Sequence, residues 1–469
     1  MPVVPSSIHS FQDCKTLAQY LRSIQHKNLE TRDAQFVAIA FDLDPTDPLA
    51  VLQTMVRPGE AHFYLEKPGE QDAIAAFGTV ESRTSSGQFR FAEVQEFIQS
   101  CEVYTGGIST QRSPRFLCSF TFFADESQSE HDPAPAMAFL PAWQVVRQAD
   151  QSWAIACITL HAYSKTEDIS QRVWQQFQSI QSVKHRVIHF PTAFNPAFHQ
   201  WQISDVNDFR ATVASALDSM RQKRLDKLVL SHAVDVVSPL PFNWIQSLQQ
   251  LRHSHPDCFI FSTHNGTGKT FIGASPERLI RVQNGRFLTE ALAGSAPRGS
   301  TPEADADHGD RLLSSQKERH EHQLVADFLC DRLTHLGITP QSATMPQLFK
   351  LSNIQHLQTP IWGTVPAHLH PLDLLAELHP TPAVAGMPRD LACAEIRRYE
   401  PFGRSRYAAP LGWVDAQGNA EFVVGIRSAE LEGNRARLYA GAGIVAGSDP
   451  DRELAEVKLK LQALLKALV

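Results

Sequence analysis

Short runs in the first 190 residues carry apolar side chains in the pattern of β-strands. The runs QFVAIAFDL, AHFYLEK and DAIAAFGTV predict strands, and RFAEVQEFIQSC after them has the spacing of a helix. The segment from His189 to Asp205 has no clear period and contains two prolines. We therefore divide the chain there, into residues 1–195 and residues 196–469.

The second part mixes helices and strands. Apolar residues recur at helical spacing from Phe209 to Met220, and LDKLVLSHAVDVV after them predicts a strand. A long helix is predicted from about Ser314 to Leu336, and the run DRELAEVKLKLQALLKALV predicts a helix at the end. Asn265-Gly266 between CFIFSTH and KTFIGAS is typical of a β-hairpin. Because many strand pairs look like hairpins, an α/β fold with an antiparallel or mixed sheet is favoured.

The same turn contains GTGKT, which ends like a nucleotide-binding P-loop. A P-loop needs a glycine five residues before Gly268, where this chain has Thr263, and it leads from a strand into a helix. Here the turn leads into a second strand-like run. An ATP-dependent P-loop enzyme is therefore disfavoured.

Composition narrows the class of protein. The chain has 469 residues, of which 43% are hydrophobic and 20% charged, so it can bury a large core. Its net charge of -7 argues against a nucleic-acid partner. No apolar run is long enough to span a membrane, and the first residues lack the pattern of a secretion signal. Seven dispersed cysteines are typical of a reducing compartment, so we expect a cytoplasmic protein.

An acid in the long helix stands in an apolar stripe. Leu324, Val325, Phe328 and Leu329 belong to that stripe, and Glu321 falls in its middle. A carboxylate there costs several kcal/mol unless it is neutralised, paired or bound to a metal. The pattern of this helix alone does not decide whether Glu321 forms a buried ion pair or binds a metal.

Three charges follow one flank of the terminal helix. Glu453, Glu456 and Lys460 are spaced i, i+3 and i+7. A triplet of this kind is usually a solvated salt bridge within one helix. Two helices with carboxylates at the edge of the core can instead meet around one hard cation, and oxygen ligands of this type suit Mg²⁺ beside an anionic substrate.

Two glycine-rich strand ends and one arginine indicate an anionic ligand. LAGS at Leu292–Ser295 and AGAGIV at Ala440–Val445 leave backbone N–H groups open to close approach, although tight turns are the commoner meaning of either run. Arg427 is suited to clamp a carboxylate. These residues together favour a Mg²⁺ enzyme that acts on a small carboxylate.

Seven motifs occur in order from Leu225 to Lys460: KLVLS, GASPE, LAGSAPRG, KERHEHQ, HPTPAVAG, GIRSAEL and AGAGIV with the acids that follow it. Together they resemble the chorismate-utilising enzymes, which include isochorismate, salicylate, anthranilate and aminodeoxychorismate synthases. The resemblance implies an α/β fold of two large, mostly antiparallel sheets packed as a sandwich with helices outside. It implies that residues 1–195 add strands and helices to that sandwich and that residues 196–469 form the chorismate-binding part.

Within this family the resemblance is greatest to isochorismate synthases. The enzymes that add water are similar in having a lysine where this chain has Lys227, and the aminodeoxychorismate synthases have a lysine where it has Ala293. The implied reaction adds water at C2 of chorismate and removes the C4 hydroxyl, for naphthoquinone (menaquinone or phylloquinone) or siderophore and salicylate synthesis. A salicylate synthase, which also eliminates pyruvate, is the alternative, and an ammonia-using synthase is disfavoured. No glutamine amidotransferase subunit is expected, and the enzyme would be a monomer or homodimer.

The resemblance also implies roles for individual residues. Lys227 would be the general base on water and must be neutral to act, whereas Glu277 would be the general acid and needs a raised pKa. Glu321 and Glu456 match the Mg²⁺ ligands, with Glu453 close by. The implied substrate contacts are Gly294, Ser295, His379, Arg427, Gly441, Ala442, Gly443 and Lys460.

Overall fold

The computed structural model describes residues 11, 13–28, 34–106, 108–125, 132–183, 200–223 and 225–468. The division expected at about residue 195 lies outside these residues. Within the described ranges, no helix is both long and apolar enough to cross a membrane.

The described residues form 11 α-helices, besides short 3₁₀ turns at Pro68–Glu70 and Thr110–Arg112. The helices are α1 (Cys14–Asn28), α2 (Pro48–Met55), α3 (Arg90–Ser100), α4 (Thr166–Gln181), α5 (Phe209–Lys223), α6 (Trp244–Ser254), α7 (Pro302–Ser314), α8 (Gln316–His335), α9 (Pro371–Leu378), α10 (Arg389–Tyr399) and α11 (Pro450–Ala467). The helices predicted near residues 209, 314 and 450 are therefore present, and α7 was not predicted.

The same residues form 21 strands. They are β1 (Ala34–Leu43), β2 (His62–Lys67), β3 (Asp72–Ser85), β4 (Val103–Tyr104), β5 (Arg115–Phe120), β6 (Ala136–Gln148), β7 (Gln151–His161), β8 (Gln202–Asp205), β9 (Lys227–Val237), β10 (Phe259–His264), β11 (Thr270–Ser275), β12 (Arg278–Gln283), β13 (Arg286–Pro297), β14 (Gln341–Ser342), β15 (Gln347–Lys350), β16 (Ile354–Thr364), β17 (Gly386–Met387), β18 (Pro410–Asp415), β19 (Ala420–Val424), β20 (Ser428–Glu432) and β21 (Arg435–Val445).

The strands make one hydrogen-bonded network with two arms that join at β6. The first arm runs β9-β21-β20-β11-β10-β2-β3-β6, with β8 and β17 on the outer edge of β9. Strand β6 pairs with β3 along one edge. Along its other edge, the first residues of β6 pair with β5 and its last residues pair with β7. From β5 the second arm continues β18-β19-β12-β13-β16. Among the described strands, β1 with β4 is the one parallel pair, so the mostly antiparallel α/β fold is confirmed.

The hydrophobic pattern explains where the strands lie. In β9 the first eight residues, Lys227 to Val234, are all buried, as expected for a strand covered on both faces. The hairpin at Asn265-Gly266 is present, because β10 and β11 pair antiparallel from Phe259 with Ser275 to Thr263 with Phe271. One continuous apolar core includes side chains from both arms of the network.

Candidate active site

The ends of several elements surround one cavity, which both charged and apolar side chains line. Strands β9, β13 and β21 and helices α8 and α11 all contribute to its wall. Eleven of the residues predicted as site residues line it: Lys227, Glu277, Gly294, Ser295, Glu321, Arg427, Gly441, Gly443, Glu453, Glu456 and Lys460. Segments up to 233 residues apart in the chain therefore meet at one place, since Lys227 and Lys460 both belong to this wall.

One predicted substrate contact, His379, lies outside the cavity wall. It is buried against Phe91 and Phe122, and its Nε2 lies 3.2 Å from the carbonyl oxygen of Phe122. Ala442 lies on β21 between Gly441 and Gly443, which both line the cavity. The contact predicted for its backbone amide stays a prediction.

Lys227 stands at the first residue of β9 and is only 1% exposed. Its Nζ donates to Oε1 of Glu321 at 2.9 Å. A methyl group at Gly443, on the neighbouring strand β21, would overlap that carboxylate oxygen and lie 3.0 Å from Cε of Lys227. A glycine is thus required on β21 for the lysine and the carboxylate to meet.

Glu277 follows β11 and is 5% exposed. Its backbone N–H donates to Oγ of Ser275, which fixes the turn after the strand. Burial raises the pKa of this carboxyl to about 8, although nearby Lys227 opposes the shift and Glu290 adds to it. Glu277 therefore holds its proton at neutral pH, as a general acid must.

Helix α8 presents two carboxylates to the cavity. Ser315 caps the helix by accepting a hydrogen bond from the N–H of Glu318. Glu321 is 9% exposed and lies on the buried face with Val325 and Phe328, as its position in the apolar stripe predicted. Glu318, one turn earlier, accepts a hydrogen bond from the N–H of Ser295 at 3.2 Å. Burial and the charge of Glu321 raise the pKa of Glu318.

Helix α11 brings two more carboxylates to the same end of the cavity. Burial and neighbouring Glu456 raise the pKa of Glu453. Burial alone would also raise the pKa of Glu456, but Lys460 outweighs it and lowers that pKa. Lys460 donates to Oε1 of Glu456 at 2.6 Å and to the carbonyl oxygen of Gly441 at 2.9 Å, which ties α11 to β21.

The donor set fits a hard divalent cation. The four carboxylates offer only oxygen, and the raised pKa values of Glu318 and Glu453 arise in part from repulsion by Glu321 and Glu456. In the described residues no group of three or more acidic, histidine or cysteine side chains is placed to hold a metal ion as it stands. Lysines pair with three of these acids instead: Lys227 with Glu321, Lys317 with Glu453 and Lys460 with Glu456. A cation would compete with these ammonium groups.

Arg427 lies between β19 and β20, is 7% exposed and has the left-handed φ of 49°. Burial lowers the pKa of its guanidinium. Its Nη2 lies 2.9 Å from Nε2 of His356 on β16. Across the described residues, no carboxylate comes within ion-pair distance of Arg427. A buried cation without a paired anion favours a negatively charged ligand.

Sequence reasoning missed several residues of the cavity wall, among them Lys317, Glu318, His356 and Tyr407. Glu318 could have been predicted, because it lies three residues before Glu321 on the same helical face. No sequence pattern indicated His356. It reaches the site because β16 pairs with β13 and places His356 opposite Ser295, and a sequence does not give that register.

The comparison with known families agrees with these features. Residues 20–469 match the family described as chorismate binding enzyme. The chain belongs to this family. The family and fold expected from the seven motifs are thereby confirmed.

One relative and one solved structure cover more than nine tenths of the chain, and a second relative covers 56% of it. The salicylate biosynthesis isochorismate synthase of Pseudomonas aeruginosa is 34% identical over 442 residues, which is 92% of this chain and 90% of the relative. The isochorismate synthase EntC of Escherichia coli is 37% identical over 263 residues, 56% of this chain and 67% of the relative. The structure of MenF, the menaquinone-specific isochorismate synthase from Escherichia coli, has a TM-score of 0.78 and 27% identity, and covers 97% of this chain and 99% of that chain.

Proposed function

We propose that this chorismate-binding enzyme is an isochorismate synthase, which converts chorismate into isochorismate. The observation that carries the proposal is one cavity that holds both Lys227 and a protonated Glu277. The names of the proteins compared above support the same reaction, because all three are isochorismate synthases.

Chorismate is a dicarboxylate, and the cavity offers two places for carboxylates. Arg427 supplies a buried cation without an ion-pair partner among the described residues, and Gly441 on the adjoining strand lines the same cavity, whereas Gly443 lies against Glu321 and Lys227. We assign one carboxylate of the substrate to Arg427 and Gly441, and the ring carboxylate to the end with the four acids. Gly294, Ser295 and Lys460 lie between those ends of the wall.

Lys227 and Glu277 can exchange protons with the reacting groups. The neutral amine of Lys227 takes a proton from water while the oxygen bonds to C2 of the ring. The ring double bond shifts, the bond from C4 to oxygen breaks, and Glu277 gives its proton to the departing hydroxyl. The number of protons is conserved, and exchange with solvent then restores both side chains. Lys460 and Arg427 face the same cavity as Lys227.

We propose Mg²⁺ as the metal, held by Glu321 and Glu456 with Glu453 nearby. An oxygen-only set beside an anionic substrate suits this ion. When bound, it would neutralise the carboxylates and bind the ring carboxylate of chorismate. Lys227, Lys317 and Lys460 now balance the same acids, which supports a site built to hold positive charge.

Purified protein incubated with chorismate and Mg²⁺ should form isochorismate, separated from chorismate by chromatography. Salicylate fluorescence in the same reaction would assign a salicylate synthase instead. A product that forms only with ammonium would assign an ammonia-using synthase.

The Lys227→Ala variant should keep its fold but lose about 10²–10⁴-fold in turnover, the usual contribution of a general base. Lys269→Ala is the matched control, because Lys269 pairs with Asp132 and Glu430 outside this cavity. Its turnover should equal that of the unchanged protein. Near-normal turnover in Lys227→Ala would remove the proposed base.

A further inference from the structure

His356 lies between two groups that the proposed function assigns to the substrate. Its Nδ1 is 3.1 Å from the carbonyl oxygen of Gly294 and 3.2 Å from Oγ of Ser295. Its Nε2 is 2.9 Å from Nη2 of Arg427. The side chain is 7% exposed. One imidazole therefore connects the glycine turn of β13 with the proposed carboxylate clamp.

These contacts fix both the charge and the tautomer of the ring. A carbonyl oxygen only accepts hydrogen bonds, so Nδ1 must carry the proton that it donates to Gly294. A guanidinium only donates, so Nε2 must present a lone pair to Arg427. His356 is thus the neutral Nδ1–H tautomer. Burial and the charges of Arg427 and Lys460 also lower its pKa well below the usual value.

A neutral acceptor is a suitable partner for a guanidinium that must bind an anion. A carboxylate in the place of His356 would neutralise Arg427 and compete with the substrate. The imidazole lone pair orients one N–H group and leaves the positive charge intact. Arg427 also contacts the thiol of buried Cys258. The donors of the planar guanidinium that face the cavity remain for a contact with a carboxylate.

We propose that His356 is a positioning residue, which holds Arg427 and the Gly294–Ser295 turn in the geometry that binds the substrate carboxylate. This inference rests on the proposed function. Both ring nitrogens are engaged, so His356 neither gives nor takes a proton in the reaction. It should therefore determine the affinity for chorismate and leave the chemical step almost unchanged.

Two variants separate the two contacts of the ring. In His356→Gln the side-chain amide reaches the position of Nε2, and its oxygen can accept from Arg427. In His356→Asn the shorter amide reaches the position of Nδ1, and the acceptor for Arg427 is lost. His232→Asn is the control, because His232 is equally buried but bonds to Asn207 and Asp205 away from the cavity.

His356→Asn should raise KM and the calorimetric Kd for chorismate by about tenfold to a hundredfold, the effect of a hydrogen bond to a charged group, with kcat within about threefold of the unchanged protein. His356→Gln should recover most of that affinity. In an Arg427→Lys background, His356→Asn should have little further effect, because the two residues act together. His232→Asn should lower the thermal midpoint without a change in KM.

Nitrogen-15 spectra of the unchanged protein test the tautomer without any variant. The His356 signals, assigned by their loss in His356→Gln, should show protonated Nδ1 and unprotonated Nε2 from acidic to alkaline pH. A ring that titrates near neutral pH, or an Nε2–H tautomer, overturns the proposal. An equal fall in kcat in both His356 variants, or an unchanged Kd in both, does the same. Absence of chorismate binding by the unchanged protein overturns the proposed function itself.

Discussion

A carboxyl and an amine must be uncharged if they are to act as acid and base on one substrate. The environment of Glu277 meets this condition, because burial raises its pKa to about 8. Lys227 is paired with Glu321 in the structure. The proposed proton donor is thus already in its working state.

The raised pKa of Glu277 predicts how activity depends on pH. The protonated form is the active one, so kcat/KM should hold below about pH 8 and fall by about tenfold per pH unit above it. Glu277→Gln should lose about 10²–10⁴-fold in kcat and should lack this alkaline limb. The measurement is a kcat/KM profile across neutral and alkaline pH.

Glu290→Gln is the companion variant, because the charge of Glu290 contributes to the raised pKa of Glu277. Its alkaline limb should move to lower pH while the maximal rate stays close to that of the unchanged protein. An alkaline limb that persists in Glu277→Gln would assign that titration to another group.

Single residues of the site could be predicted when they broke a local pattern. Glu321 stood in an apolar stripe, and it is buried there as expected. His379 came from the resemblance, and its side chain does not line the cavity. His356 broke no pattern. Its contact with Arg427 joins residues 71 positions apart, which local spacing does not show.

Helices α8 and α11 meet through their carboxylates and the lysines between them. The sequence of each helix alone is compatible with a simpler interpretation of its acids. That interpretation is a buried ion pair in α8 and a solvated salt bridge in α11. The structure contains ion pairs in both, but they face one cavity, and Lys317 of α8 reaches Glu453 of α11. The packing of the two helices thus brings the separate pairs to one cavity, as the proposed metal site requires.

The proposed metal site predicts how the loss of one ligand, or of the metal, affects the enzyme. Glu321→Gln should weaken Mg²⁺ binding by at least about tenfold, measured by calorimetry and by the Mg²⁺ dependence of turnover. A chelator should abolish turnover by the unchanged protein, and added Mg²⁺ should restore it. The control is Glu377→Gln, because Glu377 accepts a hydrogen bond from Arg332 near the other end of α8. An identical Mg²⁺ titration in both variants would leave Glu321 only as the partner of Lys227.

A further prediction concerns Gly443 of strand β21. A methyl group at Gly443 would displace Glu321 and Lys227, so Gly443→Ala should lose about 10²-fold in turnover through misplaced groups. Its free energy of unfolding should change little, because the atoms in the way are the ends of flexible side chains. Ala436→Val adds bulk to the far end of the same strand and should cost stability without that loss of turnover. Equal turnover in the two variants would contradict the steric argument.

The sequence predicted strands and helices better than their arrangement. The hairpin at Asn265-Gly266, the buried strand β9 and the helices α8 and α11 follow from local pattern. The pairing of β6 with β3, β5 and β7 does not, because it depends on contacts between distant strands. These pairings of β6 join the two arms of the strand network.

The arms draw strands from both parts of the chain. In the first arm, β2 pairs with β10 from Glu66 with Ile260 to His62 with His264. In the second arm, β5 pairs with β18 from Ser119 with Leu411 to Arg115 with Asp415. Without residues 1–195, β10 and β18 would each expose a long edge of unpaired backbone groups, and such edges promote aggregation.

We therefore predict that residues 196–469 do not fold alone, although they contain every residue assigned to the site. The isolated fragment should be aggregated or lack the near-ultraviolet signal of packed aromatic side chains, and it should not bind chorismate. The full chain should unfold in a single calorimetric transition whose van't Hoff and calorimetric enthalpies agree, because its strands form one network. Coexpression of residues 1–195 should rescue the solubility of the fragment. A soluble, active fragment, or two separate transitions in the full chain, would show that the two parts are independent units.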